Sequence, residues 1–414
     1  MVLSADRYAY WRSVALVFSG TAFAQTIPLL GSLVIARLFL PAEFGYFMAW
    51  LGIAALAAVF VTGRFEMALA LVEDGPPRAE AATATIVTTL MLIALVAIVG
   101  TVVFPFIAHR FPQIPISLAW LFIPAVTALA GAQIWQAWAA AEGRFRALSL
   151  MRIAQAAGIT GLQIGAGFVW QTAAALAFAH VAGVLCGIAT IAWQLPPGRL
   201  IEGRRTLFAF WWRFRRFPMF ALPADTVNTA AVQLPLTILA SRFGAEIAGY
   251  VALAFRVLGA PISLMGTAVL DVFKRRASES WRAIGSCRGP YVETLMVLAT
   301  GSLIATVVFW FAGEQLFVLA FGPQWHGAGA AAVILLPLFA LRFVASPLSF
   351  TFYISEKQHV DLIWQVGLLT MTLTTLTVFP HYESTLSAYA FGYGFFYLIY
   401  VVLTYRFSAG KRTV

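Results

Sequence analysis

Residues 328–353 read AGAAAVILLPLFALRFVASPLSFTFY, an unbroken apolar run whose single charge is Arg342. A helix needs about 20 such residues to cross the ~30 Å hydrocarbon layer, so the run has the length of a membrane span with a cation near its middle. Comparable runs recur from end to end, at 13–36, 45–63, 82–107, 117–140, 152–170, 173–194, 218–241, 248–270, 292–312, 362–380 and 386–405. Twelve spans of roughly 20 residues occupy about 240 positions, leaving short connections and no segment long enough for an independent soluble domain. The composition agrees: 61% hydrophobic, 11% charged, mean hydropathy +0.86, against about 45–50% apolar and about 25% charged in soluble domains. A water-soluble enzyme is excluded, and the fold class expected is all-α, a polytopic membrane protein of twelve transmembrane helices. Ser13–Ala36 is too long for a signal-peptide core and reads as a retained first span.

The net charge of +10 has two readings, a nucleic-acid patch or membrane topology, and position separates them. Basic residues alternate loop by loop. One side carries Arg7, Arg12, Arg64, Arg78, Arg144, Arg146, Arg152, the group from Arg199 to Arg216, the group from Lys274 to Arg288, Lys357, Arg406, Lys411 and Arg412, in all 22 of the 27. The other side has Arg37, Arg110 and Arg242, while Arg256 and Arg342 lie within spans. A nucleic-acid surface does not alternate in this way; the positive-inside rule does, and puts both termini in the cytoplasm.

The longest basic connection, Pro196 to Arg216, follows six spans and suggests an N-terminal lobe over 1–200, a basic amphipathic linker over 201–216 and a C-terminal lobe over 217–414. Its cluster Phe208-Ala-Phe-Trp-Trp212 between arginines suits either a short helix in the headgroup layer or a plain linker with lipid-facing rings. The two halves echo one another. Gln25, Pro28, Arg37, Glu43 and Gly45-Tyr46 keep the order of Gln233, Pro235, Arg242, Glu246 and Gly249-Tyr250. Both copies start on the same side, so the repeat is parallel and implies a pseudo-two-fold along the membrane normal.

A lone charge at the centre of a span costs roughly 2.5–3.5 kcal/mol on insertion scales, so each one needs a reason. Arg256, Arg342 and Asp225 are such residues, all in the second half. Asp225 is followed on the same helical face by Asn228 and Thr229. The arginines suit a hydrated cavity that grips an anionic headgroup, because a guanidinium fork matches phosphate oxygens. An internal ion pair, Asp225 with Arg256, is the competing reading. The face formed by Tyr389, Tyr393, Tyr397 and Tyr400 suits sugar stacking or packing, and the prolines inside spans suit either a bent transport pathway or simple kinks. No HExxH, GxSxG, CxxC or phosphate-loop motif occurs. The histidines are scattered, and Cys186 and Cys287 lie in an apolar span and a basic loop, so neither a metal cluster, a catalytic centre nor a disulfide scaffold is expected.

These residues resemble a known family. Ser19-Gly-Thr-Ala-Phe-Ala-Gln25-Thr-Ile-Pro28, Arg37-Leu-Phe-Leu-Pro41-Ala-Glu43-Phe-Gly45 and Gly63-Arg64-Phe65-Glu66 are similar to the opening of bacterial O-antigen and polysaccharide flippases. These form the polysaccharide-transport branch of the multidrug/oligosaccharidyl-lipid/polysaccharide exporter superfamily. Pro223-Ala-Asp225, Asn228 through Gln233-Leu-Pro235, Arg256-Val-Leu-Gly259-Ala-Pro261, Phe321-Gly322-Pro323-Gln-Trp325, Arg342-Phe343-Val-Ala-Ser346-Pro347 and Glu356-Lys357-Gln358 continue the likeness through the second half.

The resemblance implies two six-helix lobes forming a V-shaped flippase fold in the bacterial inner membrane. Its substrate would be an undecaprenyl-pyrophosphate-linked oligosaccharide, carried from the cytoplasmic to the periplasmic leaflet by alternating access. The partners implied are that glycan lipid, membrane lipids and other polysaccharide assembly proteins, with no nucleic acid. No cofactor is expected beyond a coupling H⁺ or Na⁺. On this basis Arg256 and Arg342, with Arg37, Arg64, Gln25 and Gln233, are candidate pyrophosphate or cavity residues. Asp225 and Asn228 are candidates for cation coupling, and Tyr389, Tyr393 and Tyr397 for sugar stacking. Two alternatives accompany this reading. A cation-coupled drug antiporter of the same superfamily calls for an acid-rich cavity, and a glycan polymerase or ligase calls for a large outer loop bearing catalytic Arg or His.

Overall fold

The computed structural model describes residues 24–110, 115–198 and 203–410. Arg7, Arg12, residues 13–23 of the expected first span, Arg199, Lys411 and Arg412 lie outside the described residues. Among the described residues the regular elements are helices, with no strand. Chain order runs α1 (Ala24–Leu38), α2 (Pro41–Thr62), α3 (Pro76–Arg110), α4 (Ile116–Ala141), α5 (Phe145–Gly167), α6 (Ala173–Ala192) and α7 (Arg204–Phe214). It continues with α8 (Leu222–Phe243), α9 (Ala245–Ile284), α10 (Arg288–Phe321), α11 (His326–Leu348), α12 (Phe350–Ile354), α13 (Gln358–Val378) and α14 (Tyr382–Ser408). Eleven of the twelve expected spans fall on helices, the tenth on α11 and α12 together, and the described part of the first lies on α1. Nine helical segments among the described residues are long and apolar enough to cross a membrane, and α1 is a shorter apolar helix. Large apolar side chains stand exposed along α3 (Leu90, Met91, Leu95, Ile98, Val102) and α10 (Met296, Val297, Leu303, Ile304, Phe311). In a multi-pass membrane protein these are surfaces for acyl chains.

Local signals set the ends. Pro41 opens α2 and left-handed Gly63 (φ 57°) closes it, the asymmetry expected of a residue with fixed φ and one without a Cβ. At α6 the Thr172 hydroxyl accepts from Ala175 N, and the Glu43 carboxylate from α2 accepts from Ala173 N at 2.5 Å. One expectation changes. The basic stretch after residue 270 is helical rather than a loop: α9 continues through Lys274, Arg275 and Arg276 to Ile284, a length of ~60 Å at 1.5 Å per residue. Pro261 bends the rule without ending the helix, and left-handed Gly285 (φ 66°) provides the stop. Hydropathy registers only the part of a helix that is immersed.

The chain groups into two compact units, Met1–Thr237 and Ile238–Val414. The division falls inside α8, beyond the 201–216 linker. That linker forms the amphipathic helix α7, which packs on the first unit through Phe210 against Phe65 (ring centroids 5.4 Å apart) and a 2.7 Å hydrogen bond from Trp211 Nε1 to Thr88 Oγ1. Phe208 and Trp212 remain exposed.

Within the first unit α5 and α6 lie backbone to backbone. A Cβ built on Gly183 would stand 2.2 Å from the Ile159 nitrogen, and one on Gly187 2.7 Å from Gln155 Cβ. Small residues at such crossings admit the close van der Waals packing that drives helix association in lipid. In the second unit α11 is central, packed on α9, α10 and α14. Gly329 meets Glu314 of α10, and Gly394 of α14 meets the Pro337 carbonyl. The α9–α10 turn is clipped to the end of α14: Cys287 N and Ser286 Oγ both donate to Ser408 O, at 2.9 and 3.0 Å.

Gly183→Ala is expected to lower the stability of the detergent-purified protein by about 1–3 kcal/mol, the usual cost of overpacking. Gly161→Ala, whose Cβ would meet nothing within 4 Å, is expected to leave it unchanged or raised. Thermal unfolding of the two variants checks this.

Candidate functional site

In the second unit, three helices meet around Arg342. The residue lies on α11, half-buried, one position after Leu341, which packs near Gly394. The absence of a side chain at Gly394 lets α14 approach, and the i, i+4 spacing of Tyr389, Tyr393 and Tyr397 puts the three phenols on one face of α14. Their rings form a ladder with centroids 5.2 and 5.6 Å apart. The Arg342 guanidinium is within electrostatic reach of all three. Arg342 does not figure among the ion pairs of the described residues.

From α9, Phe255 stacks on Tyr389 (6.4 Å, interplanar 20°) and meets Phe339 of α11 at 5.4 Å. Its neighbour Arg256 is half-buried. Tyr389 itself is 3% exposed and covered by Phe255, so its ring offers no open face for a sugar. The sugar-stacking assignment is corrected at that position, leaving Tyr393 and Tyr397. Tyr397 also leans on Trp364 of α13 at 5.2 Å. At the end of the ladder, Tyr400 donates to Asp361 at 3.0 Å.

A second constellation lies in the first unit, where α2 ends. Among the described residues Asp225 pairs with Arg64, a partner that neither reading of its sequence named. Its Oδ2 accepts from Arg64 Nε at 2.6 Å. The same guanidinium donates from Nη1 to Glu66 Oε1 at 2.9 Å. The backbone arranges this. Gly63 and Arg64 are both left-handed (φ 57° and 58°), and for a residue with a Cβ that conformation costs about 1–2 kcal/mol. The turn reverses the chain into the short 3-10 helix Phe65–Leu71 and aims Arg64 between two carboxylates. Asp225 is therefore engaged by a cation of the protein, and Asn228, one turn on, is exposed.

Glu66 is 3% exposed. Burial pushes its carboxyl above the ordinary value, and its own backbone hydrogen bond, Arg64 and Thr62 oppose the rise without cancelling it. The 3-10 turn is stapled from beneath by buried Arg78, which donates to the carbonyls of Leu69, Val72 and Ala141 and pairs with Asp74 and Glu142 at 2.5 and 3.3 Å.

The remaining candidates are dispersed. Gln25 and Arg37 are exposed on α1, and Gln233 is half-buried on α8 against Gly52 of α2. No group of three or more His, Cys, Asp or Glu suited to a metal ion occurs among the described residues. Sequence reasoning passed over Glu66 and Phe255. Glu66 had a signal in the Gly63-Arg64-Phe65-Glu66 motif, an acid two residues from an arginine at a span end. Phe255 had none beyond standing next to Arg256.

The sequence profile of a family described as a polysaccharide biosynthesis protein matches residues 34–330, more than half of the chain. Curated proteins give no match by sequence. Among solved structures the chain is similar to the lipid II flippase MurJ in an inward closed conformation, with TM-score 0.71 and 14% identity over 94% of this chain and 87% of that one. It is also similar to an inward-facing multidrug resistance MATE family transporter of the MOP superfamily (TM-score 0.62, 14% identity, 93% of each chain). A third likeness is to a MOP superfamily transporter from Pyrococcus furiosus described with a binding pocket of reverse polarity (TM-score 0.56, 15% identity, 96% and 93% covered). At such identities the likeness bears on fold.

Arg64→Ala is expected to destabilise the purified protein by about 1–3 kcal/mol, the cost of leaving a buried acceptor without its donor. Adding Glu66→Gln to that variant is expected to recover most of the loss. A double-mutant cycle by thermal unfolding measures both.

Proposed function

The chain belongs to the polysaccharide biosynthesis family, and from that premise we propose that it is a flippase for an undecaprenyl-pyrophosphate-linked oligosaccharide, moved from the cytoplasmic to the periplasmic leaflet by alternating access. The repeat unit would be one of O-antigen, capsule or exopolysaccharide. The observation that carries the reading is Arg342: a guanidinium on the central helix of the second unit, inside a membrane span, outside the ion pairs of the described residues and beside a ladder of phenols.

The physical task is to take a polar, anionic head through ~30 Å of hydrocarbon while the lipid tail stays in the bilayer. Unpaired charge in that layer is prohibitive, so the protein supplies a countercharge and hydrogen-bond donors along the way. A guanidinium presents a planar fork to two phosphate oxygens. Phenol rings present flat faces and hydroxyls to sugars. Arg342 with Tyr393 and Tyr397 combines both chemistries on adjacent faces of α11 and α14, and Arg256 on α9 adds a second cation to the same unit. A drug antiporter for cationic substrates is disfavoured by the basic character of these span residues. With the cell interior negative, outward movement of each negative charge gains about 2.3 kcal/mol per 100 mV, which assists the loaded step. The polarity of the basic loops supports cytoplasmic termini in an inner membrane.

Arg342→Ala is expected to abolish surface-glycan export in a strain lacking the native gene, with membrane insertion retained, since a guanidinium in a span opposes insertion. Loss of hydrogen bonds to a charged group is worth about 1.5–3 kcal/mol, or roughly 10- to 150-fold in affinity for the lipid pyrophosphate. Arg342→Lys, which keeps the charge and loses the fork, is expected to fall between. Normal export by Arg342→Ala refutes the assignment.

A further inference from the structure

The two oxygens of Glu66 have different surroundings. Oε1 accepts from Arg64 at 2.9 Å, whereas Oε2 is buried and has no hydrogen-bond partner within 3.5 Å among the described residues. A desolvated, unbonded carboxylate oxygen is costly, and a proton relieves much of that cost by removing the charge. The cation that holds the other oxygen is itself divided, because Asp225 on α8 takes Arg64 Nε at 2.6 Å.

The other charged groups around this turn are either paired or exposed. Arg78 from α3 is held by three carbonyls, Asp74 and Glu142, the last at the end of α4. Glu73 and Asp74 in the following loop are exposed. Arg213 on α7, and Arg215 and Arg216 in the turn after it, are exposed as well, and that side meets Phe65 with the ring of Phe210. Among the described residues Arg64 is the cation that acts on Glu66.

We propose that Glu66 is a proton-binding site whose occupancy is exchanged against the Arg64–Asp225 contact. While the contact is made, the guanidinium is shared and a second negative charge stands beside it, so Glu66 holds a proton more tightly. When the contact breaks, the whole guanidinium is available to the Glu66 carboxylate, and the proton leaves to water. By reciprocity, a proton on Glu66 favours the closed α2–α8 contact, and deprotonation favours its opening. The direction follows from that reciprocity: closure is stabilised at low pH, and that stabilisation is lost as pH rises through the Glu66 titration. The helix affected is α8, whose residues belong to the first unit up to Thr237 and to the second from Ile238. As the coupling step of transport this rests on the flippase reading; as a proton site it stands on the geometry alone.

The test is pH-difference infrared spectroscopy of the full chain in lipid nanodiscs, reading the band of a protonated carboxylic acid. In the wild type a band is expected that titrates above the ordinary glutamate range. Glu66→Gln is expected to remove it. Asp225→Asn, which frees Arg64 for Glu66, is expected to move it to lower pH by at least one unit, a tenfold or greater loss of proton affinity. A band that survives Glu66→Gln overturns the site. A titration that stays put or moves upward in Asp225→Asn overturns the exchange, and this second arm stands even where Glu66→Gln fails to insert. Glycan export by the same variants is scored separately. With the infrared result as expected, export by Glu66→Gln that remains normal and insensitive to collapse of the proton gradient refutes the coupling role and leaves the proton site standing. Absence of any glycan export by the wild-type chain refutes the flippase reading instead.

Discussion

One constraint orders the buried charges of this protein: a charge withdrawn from water must be solvated by the chain itself. The arginines show the range of solutions. Arg78 is surrounded by carbonyl oxygens and two carboxylates and fixes a turn. Arg242 donates to the carbonyls of Leu376 and Phe379, closing the end of α13. Arg64 is divided between two acids. Arg342 has phenols for neighbours and does not appear in the ion pairs of the described residues. The progression runs from cations whose solvation is complete within the fold to one whose complement an anionic ligand would complete.

The same constraint explains what was legible in the sequence. Helix positions follow from hydropathy, since each run of about 20 apolar residues leaves a membrane-crossing helix as the structure that satisfies its backbone; the runs and the helices coincide in order over the described residues. The tyrosine ladder follows from spacing alone. The extent of α9 did not follow, because a helix that leaves the membrane carries charges that resemble those of a loop. The partner of Asp225 did not follow either. Arg64 is 161 positions away, and a span-end arginine has no mark that separates an ion-pair partner from a topology signal. The left-handed backbone at Arg64, which aims the side chain, leaves no trace in the composition of its neighbourhood.

Asp225 illustrates how a single polar residue in a span admits two readings until its neighbours are known. Beside Asn228 and Thr229 it had the makings of a partial cation cage. With Arg64 at 2.6 Å its charge is already balanced, and the acid with an oxygen unbonded among the described residues is Glu66. Similarly, Tyr389 has the residue type and spacing of a sugar platform, and its burial against Phe255 makes it a packing element between α9 and α14.

That packing has a mechanical consequence. α9 and α14 are joined twice, once where Phe255 stacks on Tyr389 and again where the Gly285 turn hydrogen-bonds to Ser408. Two long rods pinned at separated points make a truss: neither can tilt or slide without carrying the other. Over a ~60 Å rod, a rotation of ten degrees displaces the far end by about 10 Å. A shift of the phenols on α14 is therefore transmitted to the charged end of α9.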